Sequence, residues 1–209
     1  MRARVIGIDP GLANLGVAEL VWDGHSCTSL TTRHEKTHPP ATPTDDQTAA
    51  RMSRMIRAAA PVGEPWLCEG CGYTHNPPPS DLVMVMLEGP SYGSTTPYQH
   101  DSAGLWWRLR SLLTSRSIPV GKCPPATLKL WAAGDGRASK DQMKLALDRL
   151  WPGVLARTEH EVDAALLALA AAQRLGWFTG GEPLRQARQL GKMTWPRLPE
   201  VRTVPAVTT

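Results

Sequence analysis

The chain has 209 residues, 42% hydrophobic and 20% charged, a globular composition with enough length to bury roughly 70% of the unfolded surface without disulfide staples. No run approaches the ~18–20 apolar residues that cross a bilayer, and MRARVIGIDPG carries neither an apolar signal core nor a small-residue cleavage site, so no membrane role and a cytoplasmic location are expected. A net charge of +4 is compatible with a polyanionic partner but does not name one.

Residues 4–9 (RVIGID) are a β-branched run that ends at a carboxylate before Pro10-Gly11, which predicts a strand and a turn. Residues 15–22 read as a second strand, Asp23-Gly24 as a hairpin turn, and residues 26–32 as a third strand. Thr44 precedes a stretch with acids first and arginines later, predicting a helix over about 45–60. Residues 61–80 break the pattern with Cys68, Cys71, His75 and three consecutive prolines, and read as an inserted loop. Residues 82–87 (LVMVML) are a continuous apolar run, expected of a central strand buried on both faces, and end at Glu88. A helix follows over about 99–115, with Trp106, Leu109 and Leu113 on one face. A short strand at 118–120, a short helix at 126–132 and a turn at 134–138 come next. Ser139 with Gln142, and Thr158 with Glu161, make capping boxes for two more helices, the second reaching about residue 175. From 177 onward the chain is rich in Gly, Pro and Arg and is expected to be a loosely attached tail. The element order implies an α/β domain with a mixed sheet of about five strands flanked by helices, spanning residues 1–176 with the 177–209 tail outside it.

Three acids stand out by position. Asp9 ends the first strand, Glu88 ends the buried strand, and Asp163 lies early in the last helix. Carboxylates at the ends of central strands gather at one sheet edge, where α/β proteins bind ligands. Such oxygen donors suit Mg²⁺ or Mn²⁺. On the last helix His160 lies about 60° from Asp163, whereas Glu161 lies about 160° away and is assigned to the cap. Taken singly, an acid in such a place is more often a cap or a turn residue, but a carboxylate that closes LVMVML, as Glu88 does, must lie at the sheet's rim or be paired.

The sequence resembles the RuvC-type Holliday-junction resolvases of the ribonuclease H-like superfamily. Four ordered blocks carry the resemblance: GIDPGLANLGVA (7–18), VMLEGPSYG (85–93), Leu128-Lys129 through AGDGRASKDQ (133–142), and HEVDAALLALAAA (160–172). It implies a ribonuclease H-like fold and a Mg²⁺-dependent (or Mn²⁺-dependent) crossover junction endodeoxyribonuclease, with two ions per site held by Asp9, Glu88, Asp163 and His160. It also implies that Lys129 and Lys140 contact phosphate near the scissile bond, that Tyr92 stacks at the opened centre of the junction, and that a homodimer places two sites on one four-way DNA junction. Two departures qualify the match: Tyr92 falls one position later than the family's aromatic, and the 61–80 insertion has no counterpart in the family's bacterial members. A nuclease of the same fold acting on flaps, forks or structured RNA, or a junction-binding protein that no longer cleaves, are the alternatives. The intact acid set argues against the second.

Two further patterns point elsewhere. Cys68-Glu-Gly-Cys71 has the shape of a zinc knuckle, which His75, or His34 and His38, could complete; one CxxC is a weak signal and a structural Zn²⁺ is not expected. His34-Glu-Lys-Thr-His38 matches HExxH, but that chemistry needs a helix, and Pro39-Pro40 follows a strand here. Asn14 and the pair Trp106-Trp107 read as turn and core.

Overall fold

The computed structural model describes residues 2–63, 66–67, 74–75, 77–90, 99–179 and 183–198, of which 66–67, 74–75 and 183–184 are described by backbone alone. Strands β1 (Ala3–Pro10), β2 (Asn14–Trp22) and β3 (Cys27–Lys36) form an antiparallel meander. Helix α1 (Asp45–Ala59) follows, opened by the Thr44–Gln47 capping box. The short pair β4 (Trp66–Leu67) and β5 (Thr74–His75) stands as a separate two-stranded ribbon within the insertion. Next come β6 (Leu82–Glu88), α2 (Gln99–Ser115), β7 (Val120–Cys123), α3 (Pro125–Ala133), α4 (Lys140–Leu150), α5 (Glu159–Arg174) and α6 (Pro183–Leu190). The main sheet runs β3-β2-β1-β6-β7, with β6 parallel to both of its neighbours. Among the described residues no helix is long and apolar enough to cross a membrane.

Alternation along each strand divides the molecule into two layers around the sheet. Val5, Ala18, Leu20, Met84 and Met86 meet α3, α4, α5 and α6 on one face. Ile6, Ile8, Val17, Val85 and Leu87 meet α1 and α2 on the other, together with Leu105, Trp106, Leu109 and Leu113. The long apolar runs of β1 and β6 follow from this, since both of their faces are covered.

Helix α5 is the innermost, with every residue from Ala164 to Ala172 buried. Two glycines let it lie directly on the sheet. A Cβ on Gly7 would sit 2.0 Å from the Ala164 carbonyl oxygen, and one on Gly16 would sit 1.9 Å from that of His160. Alanines on the helix and glycines on the strands therefore set the spacing between the two.

The structure corrects three sequence expectations. The third strand does not stop at 32 but continues to Lys36, because nine residues of β2 pair with it. The strand expected at 118–120 begins only at Val120: the Ile118 amide still donates back to the Leu113 carbonyl, through a turn with Ser117 at φ 57°. In the segment after 177 the described residues, namely 178–179 and 183–198, are not loose. Trp177 stacks on Trp22, and Gln186, Leu190 and Met193 are buried. Thr194 exchanges two backbone hydrogen bonds with Lys122 at the free edge of β7. Its Gly, Pro and Arg content concealed a short amphipathic helix that has an apolar layer to cover.

Candidate active site

The strand register builds the site. Leu87 pairs with Ile8, so Glu88 comes level with Asp9. Asp9 pairs with Gly16, Gly16 with His34, and Glu88 with Cys123. One row across five strands therefore reads Cys123, Glu88, Asp9, Gly16 and His34, and cross-strand partners share a face, here the face covered by α5. At the second position of that row's partner helix, His160 fills the space above Gly16, one turn before Asp163.

His160 Nδ1 lies 2.6 Å from Asp9 Oδ2. Asp9 is 7% exposed and also hydrogen-bonds the Glu88 carboxyl. Burial, the charge and hydrogen bond of Asp9 and the charge of Asp163 push Glu88 well above the carboxylate range, with Lys129 pulling the other way. Asp163 is pushed up to about 7 by burial and then by Asp9, against the opposing charges of His160 and Lys129. The hydrogen bond that its ring makes to the accepting Asp9 carboxylate raises His160, outweighing its burial. Cys123 is driven up by burial and by Glu88 and Asp163, so it stays a neutral thiol beside the acids.

Three acids and an imidazole are thus crowded into one partly buried neighbourhood, with Lys129 as their neighbouring cation. Hard oxygen donors in excess of nearby positive charge are what Mg²⁺ or Mn²⁺ takes, and the donor set fits such an ion. In this structure Asp9 is hydrogen-bonded to both His160 and Glu88, while Asp163 feels the others through charge alone. Among the described residues no three Cys, His, Asp or Glu side chains converge as a ready coordination shell.

Two clefts open beside the site, the larger reaching it at His160 and the smaller at Asp163. The larger, of about 430 Å³, is lined by Asn14, His34, Lys36, Lys140, Lys144 and Arg157, with Glu159 and His160 at its wall. The smaller, of about 110 Å³, holds Lys129, Lys140 and Asp163. Lys140 belongs to both and pairs with Glu159.

The structure brings Asp9, Glu88, His160 and Asp163 together, with Lys129 beside the acids and Lys140 at the mouth. Tyr92, Cys68 and Cys71 lie outside the described residues. Glu161 keeps the capping box and is buried against Thr32 Oγ1 and the backbone N–H groups of Arg157 and Thr158. Of the Trp pair, Trp106 is core and donates from Nε1 to the Glu88 carbonyl at 2.7 Å, whereas Trp107 is 63% exposed and not core as expected. Sequence reasoning missed His34 as part of this site. Its ring lies parallel to that of His160 at 6.1 Å, and its Nε2 sits 3.2 Å from Asn14 Oδ1. The available signal was the third strand's alternation, extended two residues further to place His34 on the inner face.

Sheet order, acids at the ends of adjacent central strands and a helix that completes the set define a ribonuclease H-like domain. No protein-family model matches the chain. It is 26% identical over 172 residues to the crossover junction endodeoxyribonuclease RuvC of Hyphomonas neptunium, covering 82% of this chain and 92% of that protein. The protein of the same name from Granulibacter bethesdensis is 26% identical over 186 residues, covering 85% and 91%. Two solved structures share the fold at 21% identity: Thermus thermophilus RuvC, with a TM-score of 0.52, and the same protein in complex with a Holliday junction substrate, at 0.55. Each spans 84% of this chain and 98% of its own. In sequence and in fold the chain is thus similar to RuvC proteins over more than four fifths of its length.

Proposed function

We propose that the chain is a divalent-metal-dependent endodeoxyribonuclease that resolves four-way DNA junctions as a homodimer. The observation that carries this reading is the convergence of Asp9, Glu88, His160 and Asp163, from three distant parts of the chain, at one sheet end beside a cleft lined by lysines. Those four side chains would hold Mg²⁺ or Mn²⁺, with two ions per site. When bound, the ions activate water and stabilise the leaving oxygen of the phosphodiester.

The chain's own residues do the rest. Asp9 fixes the His160 ring through Nδ1, so the imidazole enters the site in one orientation. Lys129 offsets the charge of Glu88 and Asp163 and would meet the phosphate entering next to them. Lys36, Lys140, Lys144 and Arg157 would carry the flanking phosphates along the larger cleft. Exposed cations of this kind position the backbone without reading bases, which suits recognition of branched shape over sequence.

One metal site per chain and a near-twofold junction require two chains to make paired nicks. A synthetic four-way junction, presented with linear duplex and structured RNA controls in Mg²⁺, is expected to be nicked symmetrically by a complex of two chains per junction. Equal cleavage of linear duplex, or one chain bound per four arms in sedimentation, would sink the reading.

A further inference from the structure

We propose that the C-terminal element, α6 and the edge segment after it, is a second DNA-contacting surface that grips a duplex arm beside the cleavage site; this rests on the proposed junction substrate and extends it.

The first observation is where the charge lies. Residues 1–173 hold 17 basic and 17 acidic side chains and are formally neutral. Six basic residues and only two acids follow, so the whole net charge of +4 resides in the last 36 residues. A body balanced in charge with one basic end is the footprint of a polyanionic partner at that end.

Placement is the second observation. The basic segment is fastened to the fold at a defined spot. Thr194 pairs with Lys122 through two backbone hydrogen bonds of 2.9 Å, which adds it to the free edge of β7. Lys122 is itself level with Leu87, the residue before Glu88. Two strand spacings, roughly 10 Å, thus separate Thr194 from the strand end that carries the catalytic carboxylate. That distance is about three base-pair steps of duplex.

Rigidity is the third. Leu190 and Met193 anchor the segment in the core, Trp195 Nε1 donates to the Leu190 carbonyl at 2.8 Å, and the Arg174 guanidinium lies over the Trp195 ring. Arg188, Lys192 and Arg197 are exposed around this anchored turn, and among the described residues none of the three has a carboxylate partner. Cations held by a fixed backbone and left free of acids are what a phosphate backbone neutralises, with release of its counterions. An edge strand would otherwise invite pairing with another chain, and lysine and arginine guard against that.

The test uses the full chain and a four-way junction with long arms, measuring affinity against salt. Substituting Arg188→Gln, Lys192→Gln and Arg197→Gln together is expected to lower the slope of log K against log salt by about 0.9 for each phosphate no longer neutralised, and to weaken binding tenfold or more at about 0.15 M salt. The charge-keeping set Arg188→Lys, Lys192→Arg and Arg197→Lys should restore both. A neutralised variant with the wild-type slope on long arms would overturn the inference, and so would a charge-keeping set as weak as the neutralised one. Failure of the wild-type chain to prefer a junction over linear duplex would instead bring down the functional reading beneath it.

Discussion

Two ends of the same sheet both gather part-buried carboxylates, and they treat them in opposite ways. At the start of β1, Arg4 spans Asp81 and Glu19, and its Nη2 donates to Asp81 Oδ2 at 2.8 Å. That hydrogen bond raises Arg4, and although burial opposes it, the same partnership holds Asp81 below the usual carboxylate range. At the other end of β1, Asp9, Glu88 and Asp163 face one another, and burial together with mutual repulsion raises Glu88 and Asp163. Pairing acids with arginine fastens a strand. Crowding acids together stores unfavourable charge that a divalent cation can relieve, whereas an acid paired with arginine has its charge already compensated.

The sharpest way to break this comparison is to neutralise one acid at each end. Asp9→Asn, Glu88→Gln or Asp163→Asn is expected to cut junction cleavage by roughly 10²–10³ or more. Asp163→Asn should nevertheless raise the melting temperature of metal-free protein at pH 8 by about 3–6 °C, because a buried charge under repulsion is gone. Asp81→Asn should do the reverse, lowering the melting temperature by about 4–8 °C through loss of a charged hydrogen bond while sparing the site. Nicking assays and calorimetry on the same preparations check both halves. An Asp163→Asn variant less stable than wild type at pH 8 would mean that the acids do not repel.

pH gives the second, smaller handle. Asp163 titrates near 7 in the folded chain, above its ordinary value, and Glu88 and His160 are raised as well. The folded state therefore binds more protons than the unfolded one between about pH 4 and 7 for Asp163. Metal-free stability should fall as pH rises through that window, and Mg²⁺ should restore part of it at pH 8 by binding the folded form alone. Thermal melts at pH 5 and pH 8, with and without Mg²⁺, measure it. A metal-free chain more stable at pH 8 than at pH 5 contradicts the crowded-acid picture.

The smallest expected effect concerns spacing alone. Gly16→Ala puts a methyl 1.9 Å from the His160 carbonyl oxygen, so the start of α5 must lift from the sheet. Stability should drop by about 1–3 kcal/mol, the usual cost of overpacking, and cleavage should fall with it as His160 leaves Asp9. The reading to take is cleavage at a temperature where the variant is fully folded. Wild-type rates there would show that the helix position does not set the site.

Much of this was legible in the sequence because it is local. Alternation and apolar runs gave the meander, the buried strand and the helices, and capping boxes at Ser139 and Thr158 marked two helix starts from residue chemistry alone. Asp9 and Glu88 announced themselves because carboxylates seldom end apolar strands. His160 and Asp163 followed from the helical repeat. His34 stayed hidden because its role depends on a strand two residues longer than propensity suggested and on a cross-strand register that no single segment encodes. The docking of residues 183–198 was hidden for the same reason: the amphipathic face of α6 has meaning only once α3 and β7 offer it a surface.

What the sequence determined by itself was therefore the five sheet strands and the helices up to α5, the family resemblance and the chemical types at the strand ends. Tertiary structure decided which of those groups meet. Glycines at 7 and 16 brought α5 onto the sheet, register placed Asp9 level with Glu88, and burial turned the meeting of three acids into repulsion. Propensity and periodicity act over a few residues, whereas contact, dielectric and charge crowding arise between segments as distant as Asp9 and His160, 151 residues apart along the chain, and exist only when the chain has folded.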